Sequence, residues 1–219
     1  MAKHSMHEEA EHLHENVPDG WYYTSIRENI FQRYWHKRRF EEIKKLILPV
    51  EGGDVLDVGC ADGMFTKVVL NNTHASKVVA VDVLHSSIAW AKRHWKRNKK
   101  IRFMVTDAHD LPFATGTFDA AFALEMLEHV FKPDQVLREI KRVLKKGGYA
   151  IFLVPSDSGL FKLVWFLWSF YRGRIWKHTH IQTYRNDYLV EVSKKVGFEV
   201  EVSKKFLLGM LHAVRVRKK

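Results

Sequence analysis

The run Val55-Leu56-Asp57-Val58-Gly59-Cys60-Ala61-Asp62-Gly63 is apolar until it breaks into a glycine turn, which restricts the chain to folds where a buried strand feeds directly into a helix. Apolar residues through Val58 suit a strand covered on both faces. Gly59 and Gly63 let backbone N–H groups approach a ligand that a Cβ would hold away. A second apolar strand, Lys77-Val78-Val79-Ala80-Val81-Asp82, ends in a carboxylate about 20 residues past the turn, the usual position for an acid that takes ribose hydroxyls. A third strand, Ile101 to Thr106, ends in Asp107, and a fourth, Phe118 to Leu124, ends in Glu125. In an open doubly wound α/β sheet the carboxyl ends of the strands line the ligand crevice, so these acids converge on one site.

The spacing predicts helices over 63–71, 85–97 and 133–145, the last stopped by Gly147-Gly148. Strand alternating with helix is the signature of a parallel sheet. Tyr149 to Val154 reads as a fifth strand; after an insertion come a helix near 185–196 and strands near 198–203 and 208–216. Ahead of the first strand, Thr24 or Ser25 caps a helix running to about Leu48, where Pro49 and Gly52-Gly53 stop it. Its apolar face is expected to comprise Ile26, Ile30, Phe31, Tyr34, Trp35, Phe40, Ile43 and Leu46. Residues 1–16, with His4, His7, His12 and His14 among glutamates, read as a disordered tail, leaving 17–219 as one domain.

At 219 residues and 46% hydrophobic the chain holds one substantial core. The single cysteine, Cys60, excludes an internal disulfide, and no apolar run of signal-peptide shape opens the sequence, so a reducing cytoplasmic setting is expected. A formal net charge of +11 favours an anionic partner, nucleic acid or a membrane surface. Zinc-knuckle spacing and aromatic RNA-binding motifs are both missing, which makes nucleic acid the lesser option.

Together these residues resemble the class I S-adenosylmethionine-dependent methyltransferases, in the small-molecule type 11 group. The resemblance rests on Asp57 through Gly63, Asp82, Asp107, Leu111-Pro112-Phe113, Glu125-Met126-Leu127-Glu128-His129-Val130 and Val143 through Tyr149. It implies a Rossmann-like sheet of about seven strands, closed by an antiparallel last strand, with an N-terminal helical lid formed by the leading helix and Trp21-Tyr22-Tyr23. It also implies an S-adenosylmethionine site made from Asp57, Gly59, Cys60, Ala61, Gly63, Asp82, Val83, Asp107, Ala108 and Glu125. There Asp57 and the turn backbone lie near the methionine portion, Asp82 takes the ribose and Asp107 the adenine amino group. The family more often has glycine at Ala61, a change the turn is expected to tolerate. NAD is disfavoured because the third glycine of a pyrophosphate-binding turn is replaced by the Asp62-Gly63-Met64-Phe65 stretch.

Methyl transfer is an in-line displacement whose leaving group is already activated, so a protein chiefly aligns the acceptor, excludes water and removes a proton. His129, with Glu125, is the candidate for that work, since a histidine with an ordinary pKa of about 6.5 accepts a proton at neutral pH. The Glu-Met-Leu-Glu-His-Val stretch is similar to that of ubiquinone-biosynthesis O-methyltransferases, which makes Glu125, Glu128 and His129 candidate ligands of a divalent cation, although metal is not the favoured reading. The same relatives carry an apolar insertion followed by a Thr-His pair like Thr179-His180. Here the insertion runs from Leu160 to Tyr171, too short as a helix of about 18 Å to cross a hydrocarbon core of about 30 Å. With Arg172, Arg174 and Lys177 beside it, it reads as an interfacial segment, in competition with a lid over an apolar substrate or an ordinary core helix. The expected activity is O-methylation of a small or lipid-linked acceptor at the cytoplasmic membrane face. Rival readings are an RNA or protein methyltransferase and a non-catalytic cofactor-binding subunit.

Overall fold

The structure is a computed structural model that describes residues 17–156, 158–161, 163, 164, 166, 181–185 and 187–219. Two helices, α1 (Trp21–Glu28) and α2 (Ile30–Lys44), lead into β1 (Asp54–Val58), α3 (Met64–Thr73), β2 (Lys77–Asp82), α4 (His85–His94), β3 (Ile101–Val105) and β4 (Phe118–Leu124). A single turn of 3₁₀-helix (Leu127–His129) precedes α5 (Pro133–Val143), β5 (Leu144–Pro155), α6 (Tyr188–Lys195), β6 (Glu199–Phe206) and β7 (Leu211–Arg217). The seven strands form one sheet in the order β3-β2-β1-β4-β5-β7-β6. All pairings are parallel except those of β7, which runs antiparallel to both β5 and β6. The fold is thus the Rossmann-like doubly wound sheet expected from the sequence. Its strand order reverses between β1 and β4, which opens a crevice at their carboxyl ends.

Period-two alternation sends successive side chains to opposite faces and builds a core on each. Leu56, Val58, Ala121 and Ala123 pack with Val136, Leu137 and Ile140 of α5 and with Leu189 and Val192 of α6. Val55, Ala120, Phe122 and Leu124 pack on the other face with Ile43 of α2 and Val69 and Leu70 of α3. Ile88 and Ala91 of α4 close the β2–β3 flank against Ala80, Phe103 and Cys60.

Three expectations are corrected. The leading helix is two helices: Asn29 is extended (φ −129°, ψ 121°) and its side chain accepts the Phe31 and Gln32 N–H groups, capping α2. Neither Thr24 nor Ser25 is a cap; both lie inside α1, their hydroxyls donating back to the Gly20 and Tyr22 carbonyls. The break rotates α2 so that Ile30, Phe31 and Tyr34 are exposed instead of forming part of the buried face. Gly147-Gly148 does not end α5, which stops at Val143 as the chain turns straight into β5. The β4–β5 register runs from Phe118↔Leu144 to Ala120↔Tyr149, so the glycines belong to a bulge of Lys145 to Gly148. The expected tail at 1–16 and the stretch from 167 through Arg172, Arg174, Lys177 and Thr179-His180 lie outside the described residues. Among the described residues no helix is long and apolar enough to cross a membrane.

Candidate active site

The turn after β1 lies at the crevice, where Gly59, Cys60, Ala61 and Asp62 line a cleft of about 1310 Å³ including its mouth. Gly59 has φ +74°, and a Cβ there would come within 2.5 Å of Met126. The absent side chain therefore makes room for the loop after β4 as well as for a ligand. Gly63 (φ +80°) is not part of the cleft wall; a Cβ on it would meet the Trp95 indole at 2.8 Å and the Phe103 ring at 2.9 Å. Ala61 is left-handed at φ +46°, a region that disfavours residues with a Cβ by about 1–2 kcal/mol. That strain is the physical reason a glycine suits the position. Cys60 is buried, and burial together with nearby acids pushes its thiol well up, leaving it an inert packing group.

The strand-end acids have separate jobs. Asp82, mostly buried, accepts the Ala61 N–H on Oδ2 (2.8 Å) and the Leu84 N–H on Oδ1 (3.0 Å), so it locks the turn to the end of β2. Val83, Leu84, Asp107 and Ala108 continue the wall beside it. Asp107 Oδ1 accepts both the backbone N–H of His109 (2.8 Å) and its ring Nδ1 (2.7 Å). Asp62 ties the lid to the turn by accepting the Tyr23 N–H (2.8 Å) and the Met64 N–H (3.1 Å); burial raises its pKa to about 6.

Asp57 is fully enclosed and accepts the Thr66 hydroxyl at 2.6 Å. Burial raises its pKa from 3.8 to about 7, with the Asp82 charge adding to the shift and Thr66 opposing it. A carboxyl raised in the folded state exacts no penalty below its unfolded pKa and its full penalty above the folded one. Asp57→Asn, which removes the charge and keeps a hydrogen-bond acceptor, is therefore expected to gain up to about 4 kcal/mol over the parent at pH 8 and almost nothing at pH 4. Thermal melts at the two pH values check this, and equal gains at both would refute the buried-charge account.

The lid brings in residues that the sequence reading missed. Arg39 of α2 is buried and pairs with Glu125 Oε2 at 2.7 Å. Glu125 itself is left-handed (φ +57°), a strained conformation for a largely enclosed carboxylate at a strand end. Burial raises its pKa while Arg39 opposes the rise. Arg39 also donates to His36 Nδ1 (3.2 Å), so the His36 proton sits on Nε2, and burial holds the imidazole neutral. His36 Nε2, Arg39 Nε and Glu125 Oε1 are buried with no hydrogen-bond partner in the protein. A buried donor, a cation and a carboxylate oxygen left this way mark a place built for a ligand.

A second cavity, of about 970 Å³ including its open mouth, adjoins the first, and Trp21, Tyr22, His36, Arg39, Glu125 and His129 line both. Its remaining walls are mainly apolar: Phe31 and Trp35 from α2, Pro155, Leu211, Phe161 and Val164. His129 stands at the junction on the 3₁₀ turn, its Nε2 3.9 Å from Glu128 Oε1. The returning chain pins that turn: Ile181 and Gln182 donate backbone N–H groups to Glu128 O (2.9 and 3.0 Å), and the Tyr184 hydroxyl donates to Leu127 O (3.2 Å). Among the described residues no group of three or more His, Cys, Asp or Glu is arranged to hold a metal ion, and Glu125 faces Arg39 instead.

A Rossmann-like sheet with an acid-lined crevice at its switch point and a helical lid over it is the architecture that the resemblance to class I methyltransferases implies. Residues 56–152 match the family described as a methyltransferase domain, which bears out the resemblance to the class I S-adenosylmethionine-dependent methyltransferases. An O-methyltransferase of Aspergillus nomiae is 33% identical over 127 residues, 56% of this chain and 56% of that protein. A ubiquinone biosynthesis O-methyltransferase of Xanthomonas oryzae pv. oryzae is 34% identical over 103 residues, 46% of this chain and 42% of that one. The chain spans about half the length of these curated relatives. Among solved structures, a Pyrococcus horikoshii protein shares the fold with a TM-score of 0.70 at 22% identity, over 89% of this chain and 93% of that one.

Proposed function

We propose that the protein transfers a methyl group from S-adenosylmethionine to an oxygen of a small or lipid-linked acceptor at the cytoplasmic face of a membrane. The observation that carries the reading is the pair of adjoining cavities: one bears the acids of a nucleoside site, the other is apolar, and they meet at Arg39, Glu125 and His129. S-adenosylmethionine, when bound, supplies an electrophilic methyl on a sulfonium, together with an amino-acid tail carrying one positive and one negative group. Arg39 with His36 Nε2–H fits the negative group of that tail, and Glu125 Oε1 the positive one. Asp82 takes the ribose hydroxyls and Asp107, beside Ala108, the adenine amino group. His129 takes the acceptor's proton, and the aromatic lid keeps water from the junction. The O-methyltransferase names of the relatives favour oxygen as the acceptor atom.

Asp82→Ala tests the cofactor half of the reading. A hydrogen bond to a charged group contributes about 1.5–3 kcal/mol, so binding of S-adenosylmethionine is expected to weaken by roughly 10- to 150-fold by calorimetry. An unchanged dissociation constant in a folded variant removes the assignment. Screening lipid and phenol extracts with labelled S-adenosylmethionine identifies the acceptor.

A second reading, methylation of RNA, is favoured by one feature: Lys92, Arg93, Lys96, Arg97, Lys99 and Lys100, running from the last turn of α4 to the edge strand β3, are all exposed. RNA retention that falls steeply with salt would support it.

A further inference from the structure

Side chains that a helix of this pattern normally buries are turned outward on α2. Phe31 is 81% exposed, Ile30 72% and Tyr34 61%, all in the first five residues of α2 after the Asn29 break. Beside the second cavity, which Val164 lines, other apolar side chains do the same: Leu163, Val164 and Phe166 are 56%, 40% and 57% exposed. Phe31 and Val164 both line that cavity, so the two exposed sets border the same cavity. Isolated exposed apolar residues are ordinary, whereas an apolar rim concentrated around a cavity mouth marks an interaction surface.

We infer that the exposed edge of α2 is half of a docking face for an anionic lipid surface, and that the acceptor cavity opens directly into that surface. This rests on the reading of the second cavity as the acceptor site. The occupant is argued from charge. Arg27, Arg33 and Lys37 stand exposed on the same two helices and Arg38 is partly exposed. The solvent-facing acids among them are Glu28 and the partly exposed Glu41, which pairs with Arg38 (2.9 Å) and Lys37 (4.0 Å), so cations still outnumber acids there. Apolar and aromatic side chains flanked by cations on long stems are what the boundary between acyl chains and anionic headgroups takes, since the rings enter and the cations reach the phosphates. An acceptor with an apolar tail then reaches the cavity floor without crossing water, its tail passing between Phe31 and Val164. The docking face therefore includes α2 as well as Leu163, Val164 and Phe166.

Co-sedimentation with phosphatidylglycerol–phosphatidylcholine vesicles and with pure phosphatidylcholine vesicles is the test, using the full chain and the variants Phe31→Glu/Tyr34→Glu and, from the other exposed set, Leu163→Glu. The parent is expected to bind the anionic vesicles and not the neutral ones at low salt. Each variant is expected to lower the bound fraction roughly tenfold or more, from the apolar area it withdraws. Because the mutated side chains are exposed, melting temperature and calorimetric binding of S-adenosylmethionine should stay at the parent values. A parent that ignores anionic vesicles, or an α2 variant that binds them undiminished, overturns the inference. So does a dimer in sedimentation that Phe31→Glu/Tyr34→Glu dissociates without affecting vesicle binding, which makes the face a contact between copies. Failure of the underlying reading shows separately, as a parent chain with no affinity for S-adenosylmethionine.

Discussion

His129→Ala is expected to lower the rate of methyl transfer by about 10² to 10⁴-fold, the range general-base catalysis supplies, with affinity for S-adenosylmethionine nearly intact. The expectation comes from placement. His129 sits where the apolar cavity meets the acid-lined one, on a turn held by its own N–H to Met126 O (3.0 Å) and by the returning chain at Glu128 and Leu127. A ring held that firmly is positioned before the acceptor arrives. If it only packed the turn, its removal would lower the melting temperature and leave the acid limb of the rate profile in place. As the base, it gives the parent a limb at low pH that the variant lacks. A chelator titration runs beside it, because the segment after β4 carries Glu125, Glu128 and His129, the set that resembles a cation site in ubiquinone-biosynthesis O-methyltransferases. Activity that survives complete removal of divalent ions excludes that role, and loss of activity reversed by a divalent ion would displace the base mechanism.

What the sequence made legible, and what it hid, follows from which interactions are local. β2 and β4 are found at Lys77–Asp82 and Phe118–Leu124, the bounds expected, because each is a buried apolar run ended by a carboxylate. The strand-end acids meet at one crevice because parallel topology leaves them no alternative. The break at Asn29 was hidden by an apolar pattern that runs through it, although an asparagine with free N–H groups two and three residues on is itself a capping signal. The glycines at 147–148 look like a helix stop locally; only pairing with β4 makes them a bulge. Arg39 was hidden in Lys37-Arg38-Arg39, a run that reads as solvated. Its signal was present: Arg39 lies four residues from both Trp35 and Ile43, on the inward stripe of α2, and a charge on such a stripe needs a partner. That partner, Glu125, is distant in sequence, so neither residue alone announced the pair.

Arg39→Met is expected to destabilise the protein by about 3–5 kcal/mol, or roughly 6–20 °C in melting temperature, because it strands Glu125 as an unpaired charge in a buried place. The pH dependence fixes the cause. Glu125 already has a pKa raised above its ordinary 4.5, by burial and in spite of Arg39; without the guanidinium it rises further. A raised carboxyl carries its penalty only where it would be ionised in the unfolded chain, so the deficit of Arg39→Met should be small near pH 4 and grow as pH rises through neutrality. Adding Glu125→Gln removes the stranded charge and should restore most of the stability at pH 8, since a neutral pair in place of a buried ion pair is often tolerated. The double variant then separates fold from function. If the ion pair is only structural, the rescued protein binds S-adenosylmethionine as the parent does; if Arg39 and Glu125 hold the charged tail, the rescued protein folds yet binds at least about tenfold more weakly, from the lost charge-assisted hydrogen bonds. Parent-like affinity in a rescued fold would take Arg39 out of the binding site, and a deficit that does not change with pH would take the stranded Glu125 charge out of the explanation.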